Sequence, residues 1–215
     1  MALLMREFCG AAAILAAHAP ALPQPDQLCG PFTAHLALHA LLASPPSVAA
    51  LASASGTSIW PHELDGSRPI GAPLVTTGWD QLPRAGDPDT AGTTAAGVAA
   101  GVESCCADIA VVRVPTPNAT SLVRLFGALL DTPVGILANV HTGPITDPEL
   151  GWAVGHFVIV VGYDAERAEV LIADTYREMG APGHPPGCRT VGLAALVAAL
   201  ADRGLLLLVD VDQKS

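Results

Sequence analysis

The chain has 215 residues, about half of them apolar, and a formal net charge of −10. That is enough to build one substantial core, and with no basic cluster to set against the acid excess it excludes nucleic-acid binding, which needs a phosphate-neutralising patch. No stretch approaches the roughly 20 strongly apolar residues of a membrane span. The five cysteines, at 9, 29, 105, 106 and 188, show neither an even count nor C-x-x-C spacing, which argues against a disulfide framework and a structural zinc site.

Residues 1–23 hold one early arginine, an apolar stretch and an Ala-His-Ala segment, as an export signal would. Glu7, however, follows Arg6, and the stretch is mostly alanine broken by His18, so the segment reads as part of the fold. Reduced thiols in a cytoplasm are the expected setting. Residues 5–19 read as an alanine-rich helix stopped by Pro20, Pro23 and Pro25, because proline cannot continue a helical ladder. Pro31–Leu42 carries Phe32, Leu36, Leu38, Leu41 and Leu42 at helical spacing, placing Cys29-Gly30 at or just before a helix N-terminus. A short helix is expected over 47–54.

Residues 55–89 are rich in Gly, Pro, Asp and Thr and lack periodicity. They form an irregular insertion in which Trp60 and Trp79 either bind something or pin the segment to the core. Beyond it the pattern predicts a helix at 90–104, a strand at 109–114, an amphipathic helix at 118–130 and a strand at 134–140. Two β-rich runs, 155–163 and 168–174, flank a hairpin-like Asp164-Ala165-Glu166-Arg167 connection. A Gly/Pro loop at 180–187, a helix at 191–203 and a strand at 205–211 complete the chain. Helices first and paired strands late point to a single α+β domain over 1–215 with a largely antiparallel sheet.

A thiol is a useful nucleophile when its thiolate is populated, as happens at a helix N-terminus or beside an imidazolium. Cys29 meets the first condition by position, and Gly30-Pro31 permits a tight start to the helix. His156 opens the run Gly155-His156-Phe157-Val158-Ile159-Val160-Val161-Gly162-Tyr163, where a strand mouth faces a cleft. Asp174 ends the next run, 18 residues later. Across a hairpin centred near Ala165-Glu166 the two side chains emerge at the same end of the strand pair, where a carboxylate can orient the imidazole toward the thiol. His141 is a competing base or a surface residue. His35, His39 and His62 read as surface histidines, and no metal or other cofactor is indicated.

The segments Gln-x4-Cys-Gly-Pro (24–31), Gly-His-Phe-Val-Ile-Val-Val-Gly-Tyr-Asp (155–164) and Ile-Ala-Asp-Thr (172–175) resemble the papain-like cysteine peptidase superfamily. Within it they are similar to the peptidase domains that cleave bacteriocin leader peptides. The resemblance covers 22–42 and 154–175. It implies a papain-like fold, with N-terminal helices carrying the nucleophile packed on the sheet. It also implies Gln24 as oxyanion donor, Cys29 as nucleophile, His156 as base and Asp174 as orienting carboxylate. Many members place the glutamine six residues before the cysteine, whereas Gln24 is five before and Gln27 two, so the oxyanion role falls to either. The usual Asp-Pro is here Asp174-Thr175.

The function so implied is hydrolysis of a peptide or small amide through a Cys29 thioester, as in peptide maturation. The alternatives are acyl transfer or peptide cyclisation with the same residues, and an inactive peptide-binding module. The sequence leaves substrate and oligomeric state open.

Overall fold

A computed structural model describes residues 5–62, 68–73 and 81–211. The expected position of Trp79 lies outside them. The architecture is α+β, with an antiparallel sheet between two groups of helices. The strands are β1 (Arg6–Glu7), β2 (Ile109–Val114), β3 (Gly135–His141), β4 (Gly155–Asp164), β5 (Glu169–Ala173), β6 (Cys188–Gly192) and β7 (Leu205–Asp210). Their order is β2-β7-β3-β4-β5-β6, and β1 pairs with the far end of β4.

Strands β3, β4, β5 and β7 bury both faces, and the alternation of side chains sorts them into two cores. Phe157, Ile159, Leu171, Leu137 and Leu206 join α1 (Ala11–Ala21), α2 (Cys29–Ala37) and α4 (Ala95–Cys105) on one face. Val158, Val160, Ile172, Ile136 and Leu207 join α5 (Ala119–Leu129) and α6 (Leu193–Leu200) on the other. The register between β4 and β5 shifts between Val160 and Gly162. Val161 therefore remains with the first core while Tyr163 joins the second, a phase change that a bulge produces. Helix α3 (Val48–Ala54) packs beside α2 and α4.

The local chemistry explains most boundaries. Ser47, Thr94 and Asn118 each accept a backbone N–H in the first turn of α3, α4 and α5, and Asn118 forms a capping box with Ser121. Three sequence expectations need correction. The helix expected over 90–104 begins at Ala95, where Thr94 caps it, and Pro88–Thr90 forms a separate 3-10 turn. The helix expected over 5–19 begins only at Ala11, because the chain makes a left-handed turn at Gly10 (φ 91°) and Arg6–Glu7 pairs with β4 instead. Pro20 falls within its last turn rather than ending it. Likewise, the helix expected from 191 begins at Leu193, since 188–192 forms edge strand β6 against β5. Both missed strands are too short for period-two alternation to register. No helix among the described residues is long and apolar enough to cross a membrane.

Candidate active site

Cys29 is the first residue of α2, and the preceding Leu28 supplies no side-chain cap. The positive end of the helix, with its first-turn N–H groups, therefore lies beside the sulfur. Gly30 is needed for packing: a Cβ there would meet Val98 Cγ2 at 2.8 Å and Thr93 Cβ at 3.2 Å. The cysteine-bearing end of α2 is thus seated against α4 and its leading residues, and Pro31 is tolerated because a first-turn residue needs no N–H acceptor.

His156 is the second residue of β4 and Asp174 immediately follows β5, so the hairpin places both at one end of the sheet. His156 Nε2 lies 3.1 Å from Asp174 Oδ1, and both residues are buried. The rings of Trp152 (centroids 4.9 Å apart, edge-on) and Tyr176 (5.9 Å, stacked) enclose the imidazole. The other carboxylate oxygen, Oδ2, accepts from Arg189 Nη1 at 3.2 Å, and Oδ1 also accepts from the Tyr176 backbone N–H at 3.2 Å. Asp174 is fixed through its backbone as well: its N–H donates to Gly187 O at 2.9 Å and its carbonyl meets His18 Nε2 at 2.6 Å.

Electrostatics follow from this arrangement. Burial is the largest single influence on His156 and opposes its charge, but Asp174 and then the Cys29 sulfur outweigh it together, raising the pKa to about 9. Burial likewise works against the Asp174 carboxylate. His156, Arg189 and the Tyr176 N–H reverse that effect and hold Asp174 below its usual range. A protonated imidazole thus sits between a carboxylate and a sulfur. With Nε2 turned to Asp174, Nδ1 is the ring nitrogen left for Cys29.

The two glutamines both line the cleft but have different partners. The Gln27 amide is consumed by the insertion, donating to Trp60 O at 3.0 Å and accepting from Trp60 N at 2.7 Å. Gln24 is buried against the site: its Oε1 accepts from the Thr175 hydroxyl and its Nε2 donates to Tyr176 Oη at 3.3 Å. Its backbone N–H donates to Thr175 O at 3.0 Å, which pins the α1–α2 connection to the end of β5. Gln24, Cys29 and His156 line one cleft of about 900 Å³. The segment 88–95, which follows the insertion, supplies a further wall.

All four residues expected from the sequence therefore meet in one site. His141 is exposed, as a surface histidine would be, yet it lines the same cleft. His35 and His39 touch edge-on, with centroids 5.3 Å apart, and no group of three or more metal-ligating side chains occurs among the described residues. Sequence reasoning missed Arg189, Thr175, Tyr176 and Trp152. Arg189, between Cys188 and Thr190 at the end of a Gly/Pro loop, gave no readable signal. The aromatic enclosure had none either.

A family model described as Family of unknown function (DUF6885) matches residues 8–215, and the chain belongs to that family. No curated protein matches it.

Proposed function

We propose that this member of the DUF6885 family is a papain-like cysteine hydrolase that cleaves a peptide or amide bond through a thioester on Cys29. The observation that carries the reading is His156, held at Nε2 by Asp174 at 3.1 Å while its charge is also stabilised by the Cys29 sulfur. A buried imidazolium between a carboxylate and a helix-terminal sulfur is the arrangement that nucleophilic catalysis by a thiolate requires.

The Cys29 thiolate attacks the carbonyl carbon, forming a C–S bond and moving the C=O electron pair onto oxygen. The resulting oxyanion is met by the Cys29 backbone N–H and Gln24 Nε2, whose orientation Thr175 fixes by holding Oε1. As the carbonyl re-forms, the C–N bond breaks and the His156 proton passes to the departing nitrogen, leaving a thioester and a neutral imidazole. That imidazole takes a proton from water, hydroxide attacks the thioester carbon, and the acid leaves as thiolate and imidazolium are restored. Asp174 stays ionised and steadies the charged base. A peptide-maturation protease is the substrate class that the motif resemblance favours.

The test is turnover of a fluorogenic peptide-amide library by the wild type and by Cys29→Ala, with the products and any acyl-enzyme identified by intact mass. The reading expects cleavage to a free acid and an acyl adduct on Cys29, both lost in the variant. An acyl group transferred to an added amine instead would make the enzyme a transferase. Turnover that survives Cys29→Ala would overturn the reading.

A further inference from the structure

The cleft carries a feature that the reaction above does not use. Arg203 lies in the turn between α6 and β7, and its guanidinium joins Cys29 and His156 in lining the cleft. The sheet order explains how it reaches. Strand β7 neighbours β3, which neighbours β4, so a side chain leaving the start of β7 must cross β3 to approach the mouth of β4. The turn is anchored for this: Arg203 N donates to Leu200 O at 2.6 Å, and Gly204 O accepts from Asn139 N of β3 at 3.1 Å. Within it Ala201 holds the left-handed side of the map at φ 31°, a conformation costly for a residue with a side chain.

The guanidinium ends on Gly155. A Cβ at that position would lie 2.8 Å from Nη1 and 3.0 Å from Nη2, so the missing side chain at 155 is what gives the cation its place one residue before the base. Its hydrogen-bond partner is the Asn139 amide oxygen, at 3.5 Å. No carboxylate pairs with it among the described residues. Asp89, the one carboxylate side chain among the described residues that line the cleft, belongs to the wall formed by 88–95. In a chain of net charge −10 the overall field opposes an anionic ligand, so a cation in the same cleft as the base is a local exception to that field.

Resting on the assignment of Cys29 and His156 as the reacting pair, we infer that Arg203 forms a carboxylate subsite on the leaving-group side of the cleft. The favoured substrates release an amine that carries a carboxylate, as the α-carboxylate of a C-terminal amino acid does. His156 gives its proton to the leaving nitrogen, and Arg203 lines the same cleft as His156, so a carboxylate on the group attached to that nitrogen is what the guanidinium would meet. A fork of N–H donors suits a planar carboxylate.

Two small electrophiles of the same reach test this without a known substrate. Iodoacetate carries a carboxylate where iodoacetamide carries a neutral amide, and each alkylates Cys29. The rate of Cys29 alkylation by each, followed by intact mass on the full chain, gives an iodoacetate-to-iodoacetamide ratio. That ratio should drop about fivefold in Arg203→Met, the effect of removing one charge near the surface, and be largely retained in Arg203→Lys. It should also shrink in the wild type as salt is raised. An unchanged ratio in Arg203→Met, with Cys29 still labelled by both reagents, overturns the carboxylate subsite and leaves the hydrolase reading intact. A wild-type Cys29 inert to both reagents overturns the hydrolase reading and the subsite with it.

Discussion

The hydroxyl of Thr175 lies 3.2 Å from His156 Nε2 and donates to Gln24 Oε1. One buried side chain thereby links the base to the amide assigned to the oxyanion. Thr175→Val keeps the shape and removes the link, and should lower kcat about fivefold with less change in KM, while Thr175→Ser restores it. A hydrogen bond within such a network is worth about 1 kcal/mol. Steady-state kinetics on the three proteins check this, and a loss confined to thermal stability would reduce Thr175 to a packing residue.

The two glutamines should fail in different ways. Gln24→Ala removes the proposed oxyanion donor and is expected to cost about a hundredfold in kcat, beyond the stability lost by leaving the buried Thr175 and Tyr176 hydroxyls without their amide partner. Gln27→Ala frees the Trp60 backbone that the amide now satisfies on both sides. It should lower stability by about 1–3 kcal/mol through the insertion. Parallel denaturant titrations and kinetics distinguish the two.

Asp174 neutralises two cations at once, His156 and Arg189. Asp174→Ala leaves the buried guanidinium of Arg189 without its anion and should destabilise the protein by about 3–5 kcal/mol. Asp174→Asn preserves the shape, yet should cut kcat at least about a hundredfold because the amide no longer stabilises the imidazolium. Chemical denaturation of both variants measures the first effect and kinetics the second.

The pH dependence has a definite sign. His156 is raised to about 9, so kcat/KM should hold through neutral pH and fall above about 9, where the leaving nitrogen loses its acid. Alkylation of Cys29 needs no acid and should not fall there. The stabilisation from protonated His156 is complete below its ordinary value of 6.5 and is lost as pH rises to about 9. Asp174, held below 3.8, contributes above that value and loses its contribution on acidification. The difference in unfolding free energy between the wild type and His156→Ala, followed across pH, checks the alkaline arm.

The antiparallel α+β arrangement and the meeting of Cys29, His156 and Asp174 were legible because each rests on local order, whereas Gln24 was implied only by the family resemblance. Cys29 precedes a helical repeat, His156 opens a continuous apolar strand, and a short hairpin fixes where Asp174 falls. What stayed hidden depends on long-range register. Arg189 reaches Asp174 only because β6 pairs with β5, and a five-residue edge strand leaves little periodicity to read. What distinguishes Gln27 from Gln24 is its bonding to Trp60, 33 residues away from Gln27 along the chain. Arg203 enters the cleft through the order β7-β3-β4, which no spacing in the sequence encodes.

The central claim, an activated Cys29 paired with His156, is tested most directly by exposing the wild type and His156→Ala to iodoacetamide at neutral pH and mapping the alkylated cysteines by mass spectrometry. The account predicts that Cys29 reacts well ahead of Cys9, which is exposed, and that this lead disappears in His156→Ala. Labelling of Cys29 no faster than that of Cys9, or a lead that survives loss of the imidazole, would contradict it.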